Sequence, residues 1–119
     1  MEYLEDYCGR KPGSTSGFPF GGEHHVFKVR GRIFAVIHVE ETPVKATFKT
    51  DPDHTVLLRD QYPSIQPARY FDKRYWSTLS CDGTVPEDET TELLDTSYDI
   101  VVDGLKKADR EALRDAGNA

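Results

Sequence analysis

The sequence predicts an α+β domain: two layers in the order α-β-β-β-α-β-β-α, with an antiparallel five-stranded sheet and its helices on one face. Three observations predict it. Residues 25–49 form strand-like apolar runs joined by very short links, the mark of an antiparallel meander. Apolar residues recur at helical spacing between Pro86 and Lys107. Finally, helical segments bracket the strands rather than alternating with them, which separates α+β from a parallel α/β design.

Each element has its own local reason. Tyr3, Leu4, Tyr7 and Cys8 stand at helical spacing, and Gly9 is a stop. The Gly- and Ser-rich stretch 13–22 reads as a surface loop whose Phe18 and Phe20 clamp it to the core. In 25–30, Phe27 and Val29 alternate with Lys28 and Arg30. Residues 33–39 are nearly all apolar and belong in the sheet centre. Val44, Ala46 and Phe48 alternate with Lys45, Thr47 and Lys49. Asp51-Pro52 is a helix start, an N-cap followed by Pro at the first helical position, and Pro63 ends that helix. Strands are expected over 65–70 and 76–80, with a turn or single helical turn at 71–75. Trp76 begins a strand and is expected in the core, where its truncation would cost about 3–5 kcal/mol.

The last helix is expected to run from Pro86 to Lys107. Glu87, Asp88 and Glu89 fill its first turn, and Lys106 and Lys107 its last, so both ends oppose the macrodipole. Its buried stripe is Leu94, Tyr98, Val101 and Leu105, flanked by Leu93. One domain is expected over residues 1–108, with a short charged tail over 109–119 that reads either as a final helical turn or as disordered.

Composition narrows the function classes. Apolar residues make up 37% and charged residues 30%, within the globular range. No apolar run approaches the ~18 residues of a membrane span, and no signal-peptide pattern opens the chain. A cytoplasmic protein with no membrane partner is expected. Cys8 and Cys81 form no CxxC pair and read as reduced, mostly buried thiols. A formal net charge of −6 argues against indiscriminate nucleic-acid binding by the whole surface.

No motif announces catalysis. The glycines lack both the GxGxxG and the GxxxxGK[ST] pattern. His24 and His25 are adjacent, and adjacent strand residues point to opposite faces, so they do not share a metal. Ser97 and Asp99 are helical neighbours that do not face each other. The cluster Glu87, Asp88, Glu89, Glu92 and Asp95 reads as dipole compensation. The expectation is a non-enzymatic protein with no metal and no cofactor.

Charge distribution is the stronger clue. Residues 24–74 carry nine Lys or Arg against six Asp or Glu, and residues 75–119 carry four against eleven. The sheet segment is therefore basic and the C-terminal helix acidic. Lys28 with Arg30, and Lys45 with Lys49, each share a strand face by alternation. Arg69, Lys73 and Arg74 are interleaved with Tyr70, Phe71, Tyr75 and Trp76. Cations that meet phosphate beside aromatics that stack on bases suit a nucleic-acid surface. These seven basic residues are the candidate nucleic-acid contacts.

Four stretches carry a family resemblance: Phe18-Pro19-Phe20-Gly21; the run from Gln66 to Ser77 with Lys73-Arg74 and Trp76; Asp82-Gly83-Thr84-Val85-Pro86; and Asp95-Thr96-Ser97-Tyr98. Their order resembles the MmcQ/YjbR family of small bacterial domains over about residues 2–107. That family typically shows a motif like His-Met-Asn-Lys-Arg-His-Trp-Asn where this chain has Tyr70 to Ser77. Lys73, Arg74 and Trp76 are kept. Phe71, Asp72, Tyr75 and Ser77 replace other side chains, which favours a structural or binding role over acid–base catalysis. The resemblance implies the same α+β layout, close to a double-wing DNA-binding domain and to type III secretion chaperones. The function expected is weak, salt-dependent DNA binding through the basic sheet face. The alternative is a protein-interaction module that takes a protein or peptide segment.

Overall fold

A computed structural model of the chain describes residues 3–117. Helix α1 (Tyr3–Gly9) is followed by strands β1 (Ser14–Gly17), β2 (His24–Val29), β3 (Arg32–His38) and β4 (Lys45–Lys49). Helix α2 (Pro52–Gln61), strands β5 (Ile65–Pro67) and β6 (Trp76–Ser80), and helices α3 (Glu87–Asp103) and α4 (Lys107–Gly117) complete the chain. One antiparallel sheet runs in the order β1-β2-β3-β4-β6-β5, with the helices on one side.

The α+β class and the one-sided helices hold; the strand count becomes six. The extra strand, β1, lies in the stretch expected to be loop. Ser14-Thr15-Ser16-Gly17 has no apolar alternation to betray it, because it is an edge strand held by backbone pairing to β2. β5 stops at Pro67 rather than reaching residue 70: one further bond, from the Ala68 N–H to the Trp76 carbonyl at 3.2 Å, is made before Tyr70 (φ 67) turns the chain left-handed. β2 stops at Val29, since Arg30 (φ 49) and Gly31 (φ 81) make a left-handed turn.

The α2 start is as expected: the Asp51 carboxylate accepts from the His54 N–H at 3.1 Å. Its inward residues are Thr55 and Leu58, while Val56 and Leu57 face solvent. The α3 stripe is also in place. Leu93, Leu94, Tyr98, Val101 and Leu105 are buried with Phe27, Phe34, Ala35, Ile37, Phe48 and Leu79 from the sheet.

The C-terminal end differs from expectation. α3 stops at Asp103, with Gly104 as its cap, so Lys106 and Lys107 do not serve its last turn. Arg110 does instead, donating to the Asp103 and Leu105 carbonyls at 3.1 and 3.0 Å. Residues 107–117, mostly expected as a charged tail, form α4, and its Leu113 joins the core. Gly13 makes room for it. Gly13 has φ +73, and a Cβ there would collide with Leu113 Cδ2.

Ser97 fastens the two layers together. The β3–β4 ladder ends at Ala35 and Phe48. The next carbonyl, of Phe34, accepts from Ser97 Oγ at 2.6 Å, and the next amide, of Lys49, donates to Ser97 Oγ at 2.7 Å. Ser97 is fully buried. Replacement by Ala leaves both backbone groups without a partner. Ser97→Ala is expected to cost about 2–3 kcal/mol in urea unfolding; a loss under about 0.5 kcal/mol would show that the bridge carries no net stability.

Candidate functional site: the groove on the free sheet face

Helices cover one sheet face, so the other is free to meet a ligand. Strand alternation and register decide what it presents. His24 pairs with His38, Val26 with Val36, and Lys28 with Ile33. His38 pairs with Lys45 and Val36 with Thr47. Thr47 then pairs with Thr78, and Thr78 with Gln66. These side chains point away from the helices, and all of them except Val26 and Lys28 line a groove of about 1140 Å³. Its rims come from the connection before β2, with Phe20 and Glu23, and from the segment after β5, with Arg69, Tyr70 and Phe71.

A hydrogen-bonded row crosses the floor. His38 Nε2 lies 2.8 Å from Thr47 Oγ1, which lies 2.8 Å from Thr78 Oγ1. The His24 ring stands edge-on to His38, with centroids 5.0 Å apart. His24 Nδ1 is buried and has no partner among the described residues. Two exposed aromatics mark the rims: Tyr70 is 95% exposed and Phe20 70%. Tyr70 also holds a left-handed backbone (φ 67), a strained state for a side chain of this size.

Burial, and then the neighbouring His24, push the His38 imidazole below its ordinary range; Glu41 pulls it up by less. At the other end of the 70–76 segment, hydrogen bonds from Arg74 hold the Asp72 carboxyl down to about 2.

The seven basic candidates do not form one surface. Lys45 and Arg69 line the groove, and Lys45 lies 3.5 Å from Glu41. Lys28 stands on the same face, opposite Ile33. Lys49 lies over the Tyr75 and Trp76 rings, at 5.4 and 5.9 Å from their centroids. Arg30 does not share the face of Lys28. The turn it occupies sends its guanidinium to Asp109 of α4 at 2.8 Å. Lys73 donates to the Ala68 carbonyl at 3.1 Å, and Arg74 pairs with Asp72 at 2.8 Å. Arg59 of α2 pins this segment by donating to the Lys73 and Trp76 carbonyls, both at 2.7 Å.

Trp76 corrects a second expectation. It alternates with the buried Ser77 and Leu79, so it lies on the free face, half-buried, against Phe71. Cys8 is buried as expected, and Cys81 is partly so; both are free thiols.

The sequence reading paired no nucleophile with a base, yet one such contact exists on the helix face. His25 Nε2 lies 2.9 Å from Ser16 Oγ, and His25 Nδ1 bonds to Glu5 of α1. His24 and His38 were likewise missed as a pair. Hairpin register between β2 and β3 was the signal that could have found them.

These features define a class: a two-layer α+β domain with a lined groove across its open sheet face. The chain belongs to the YjbR family, whose model matches residues 9–100. It is 32% identical over 110 residues to the uncharacterised protein YjbR of Escherichia coli K12, covering 92% of this chain and 93% of that one. It is 33% identical over 97 residues to the uncharacterised protein YbdF of Escherichia coli O157:H7, covering 82% and 80%. A crystal structure of the Deinococcus radiodurans protein DR2400, with a DUF419 domain, matches with a TM-score of 0.88 and 36% identity over 94% of this chain and 86% of that one. A Pseudomonas syringae protein shares the fold, with a TM-score of 0.70 and 19% identity over 83% and 96%.

Two outcomes follow. Because Trp76 is half-buried, Trp76→Ala is expected to cost about 1–2 kcal/mol in denaturant unfolding, below the range of a full core aromatic. The depressed His38 imidazole means that the folded chain binds fewer protons than the unfolded chain just below the ordinary histidine value. Its contribution is complete above about pH 6.5 and is lost as pH falls through the window below. Urea midpoints at about pH 7.5 and 5.5 should therefore fall less in His38→Gln than in the wild type. An equal fall would remove His38 as the cause.

Proposed function

We propose that the chain is a binding module for an extended polypeptide segment laid across the free sheet face. The observation that carries this reading is the charge of the groove. Three carboxylates (Glu23, Glu40 and Glu41) line it against two cations, Lys45 and Arg69. A phosphate backbone would meet net repulsion there. A peptide with a basic residue toward the three carboxylates and apolar residues against Phe20, Val36 and Tyr70 would meet complementary partners.

The dimensions agree. From β2 to β5 the groove crosses four strand spacings of about 4.8 Å, or about 19 Å, the length of about six extended residues. Hydroxyls and imidazoles on the floor supply hydrogen-bond partners, and the rim aromatics supply anchors. The reading is non-enzymatic for this face and needs no cofactor. No helix among the described residues is long and apolar enough to cross a membrane.

A second reading rests on a different observation. The cations and aromatics of 69–76 do gather: Arg69 lies over Tyr70 at 6.0 Å and Arg74 over Tyr75 at 5.5 Å, beside Lys49. Such a patch suits a single nucleic-acid strand bound weakly, through stacking as much as charge.

Salt separates the two. A displayed random heptapeptide pool, and mixed-sequence DNA as duplex and as single strand, would be tested between about 50 and 200 mM salt. Peptides are expected to be selected, with affinity nearly unchanged over that range and lowered at least about 30-fold in a Phe20→Ala, Tyr70→Ala double variant. No selected peptide, or selected peptides indifferent to that variant, would overturn the groove reading. DNA binding that falls steeply with salt and disappears in Lys73→Glu, Arg74→Glu would favour the second.

A further inference from the structure

The groove leaves unexplained a group of side chains on the opposite face of the sheet, where α1 meets the edge strand β1. Ser16 pairs in register with Phe27, so its side chain lies on the helix face, the same face as His25 one step along β2. Ser16 Oγ stands 2.9 Å from His25 Nε2. The other ring nitrogen, Nδ1, bonds to Glu5 Oε2. In the neutral imidazole the Glu5 carboxylate accepts from Nδ1–H, which leaves the Nε2 lone pair toward the serine hydroxyl. A nucleophile, a base and an orienting carboxylate therefore stand in sequence, contributed by β1, β2 and α1.

The surroundings separate these three roles. Ser16 is exposed, His25 is mostly covered and Glu5 is partly covered, with side-chain exposures of 16% and 33% for the last two. Phe18 lies parallel to the imidazole, with ring centroids 4.4 Å apart and planes 19° apart, and Phe27 closes on it at 4.3 Å. The base is thus held in place and shielded while the nucleophile meets solvent.

Strand alternation also offers a donor for a developing oxyanion. β1 is an outer strand of the sheet. The Ser14 N–H bonds to the Lys11 carbonyl at 3.0 Å, away from β2. Alternation along the strand sends the Ser16 N–H in the same outward direction, beside its own hydroxyl.

The geometry points to an acyl-transfer site at Ser16, with His25 as general base and Glu5 as its positioning residue, acting on esters of small carboxylic acids. Ser16 Oγ adds to the ester carbonyl carbon as its proton passes to His25 Nε2. The carbon–oxygen bond to the alcohol then breaks, and the alcohol oxygen leaves with that proton. The acyl group remains on Ser16 as an ester. Water repeats the sequence, giving its proton to His25, and releases the acid with Ser16 restored. The Phe18 ring, 46% exposed, offers the apolar part of the ester a surface beside the reacting atoms.

A fluorophosphonate probe tests this on the intact chain, read by the mass of the adduct and by the peptide that carries it, together with release of p-nitrophenol from p-nitrophenyl acetate. One adduct is expected, on Ser16. Ester cleavage should drop to the solution background in Ser16→Ala, and labelling should slow by about 10²–10⁴-fold in His25→Gln. Glu5→Gln should slow labelling as well, and Glu5→Asp should restore part of that loss, which a merely structural carboxylate would not do. No Ser16 adduct in the wild-type chain, under conditions that saturate a known serine hydrolase, overturns the assignment whatever the variants do. Ester cleavage that survives undiminished in Ser16→Ala overturns it too.

Discussion

Everything on this domain's surface depends on one buried contact: the Ser97 hydroxyl inserted between the Phe34 carbonyl and the Lys49 amide. At that point the two central strands stop bonding to each other and bond to α3 instead. A buried backbone group without a partner is costly, so the helix cannot slide or rotate without exposing two of them. Tyr98, the next residue, adds a second tie by donating to the Pro12 carbonyl at 2.6 Å. Apolar packing of Leu94, Val101 and Leu105 supplies the area; the two hydroxyls supply the register.

Because α3 is locked to one face, the opposite face stays open, and its chemistry follows from strand parity. Residues that alternate with the core side chains must point into the groove. That places His24, His38, Thr47 and Thr78 together although they are spread over more than fifty residues of sequence. It also turns Trp76 outward, since Ser77 and Leu79 take the inward positions. The resulting surface mixes signs, because several cations that look free in the sequence have acidic neighbours in space: Arg30 with Asp109, Lys45 with Glu41, and Arg74 with Asp72.

The helix face is no less specific at its edge. α1 is only seven residues long, yet its Tyr7 reaches Asp95 of α3 at 2.5 Å and its Glu5 reaches His25 of β2. Lys11, just after α1, also bonds to Asp95 and lies over the Tyr7 and Tyr98 rings. These contacts hold the first residues against the sheet, so that β1 is presented in a fixed position despite having no apolar pattern of its own. α4 completes that end by placing Leu113 against Gly13, where any larger residue would both clash and hold an unfavourable φ.

The sequence by itself determined the α+β class, the meander of β2 to β4, the Asp51-Pro52 helix start and the inward stripe of α3. All of these rest on local signals: alternation, 3.6-residue periodicity and capping chemistry, each confined to a few neighbouring residues. The break at Gly104 rests on a local signal too, yet the helix expected from the sequence ran through it to Lys107. Only the tertiary structure decided β1, whose serines and glycine join the sheet through backbone bonds that side-chain patterning does not encode. It alone decided which cations are neutralised, because ion pairs such as Arg30 with Asp109 join residues far apart in the chain. The pairing of His24 with His38, and of Ser16 with His25 and Glu5, was likewise set by register and by the packing of α1 on the sheet edge. A site is a coincidence of side chains in space, and sequence spacing reveals it only when one element carries all of its parts.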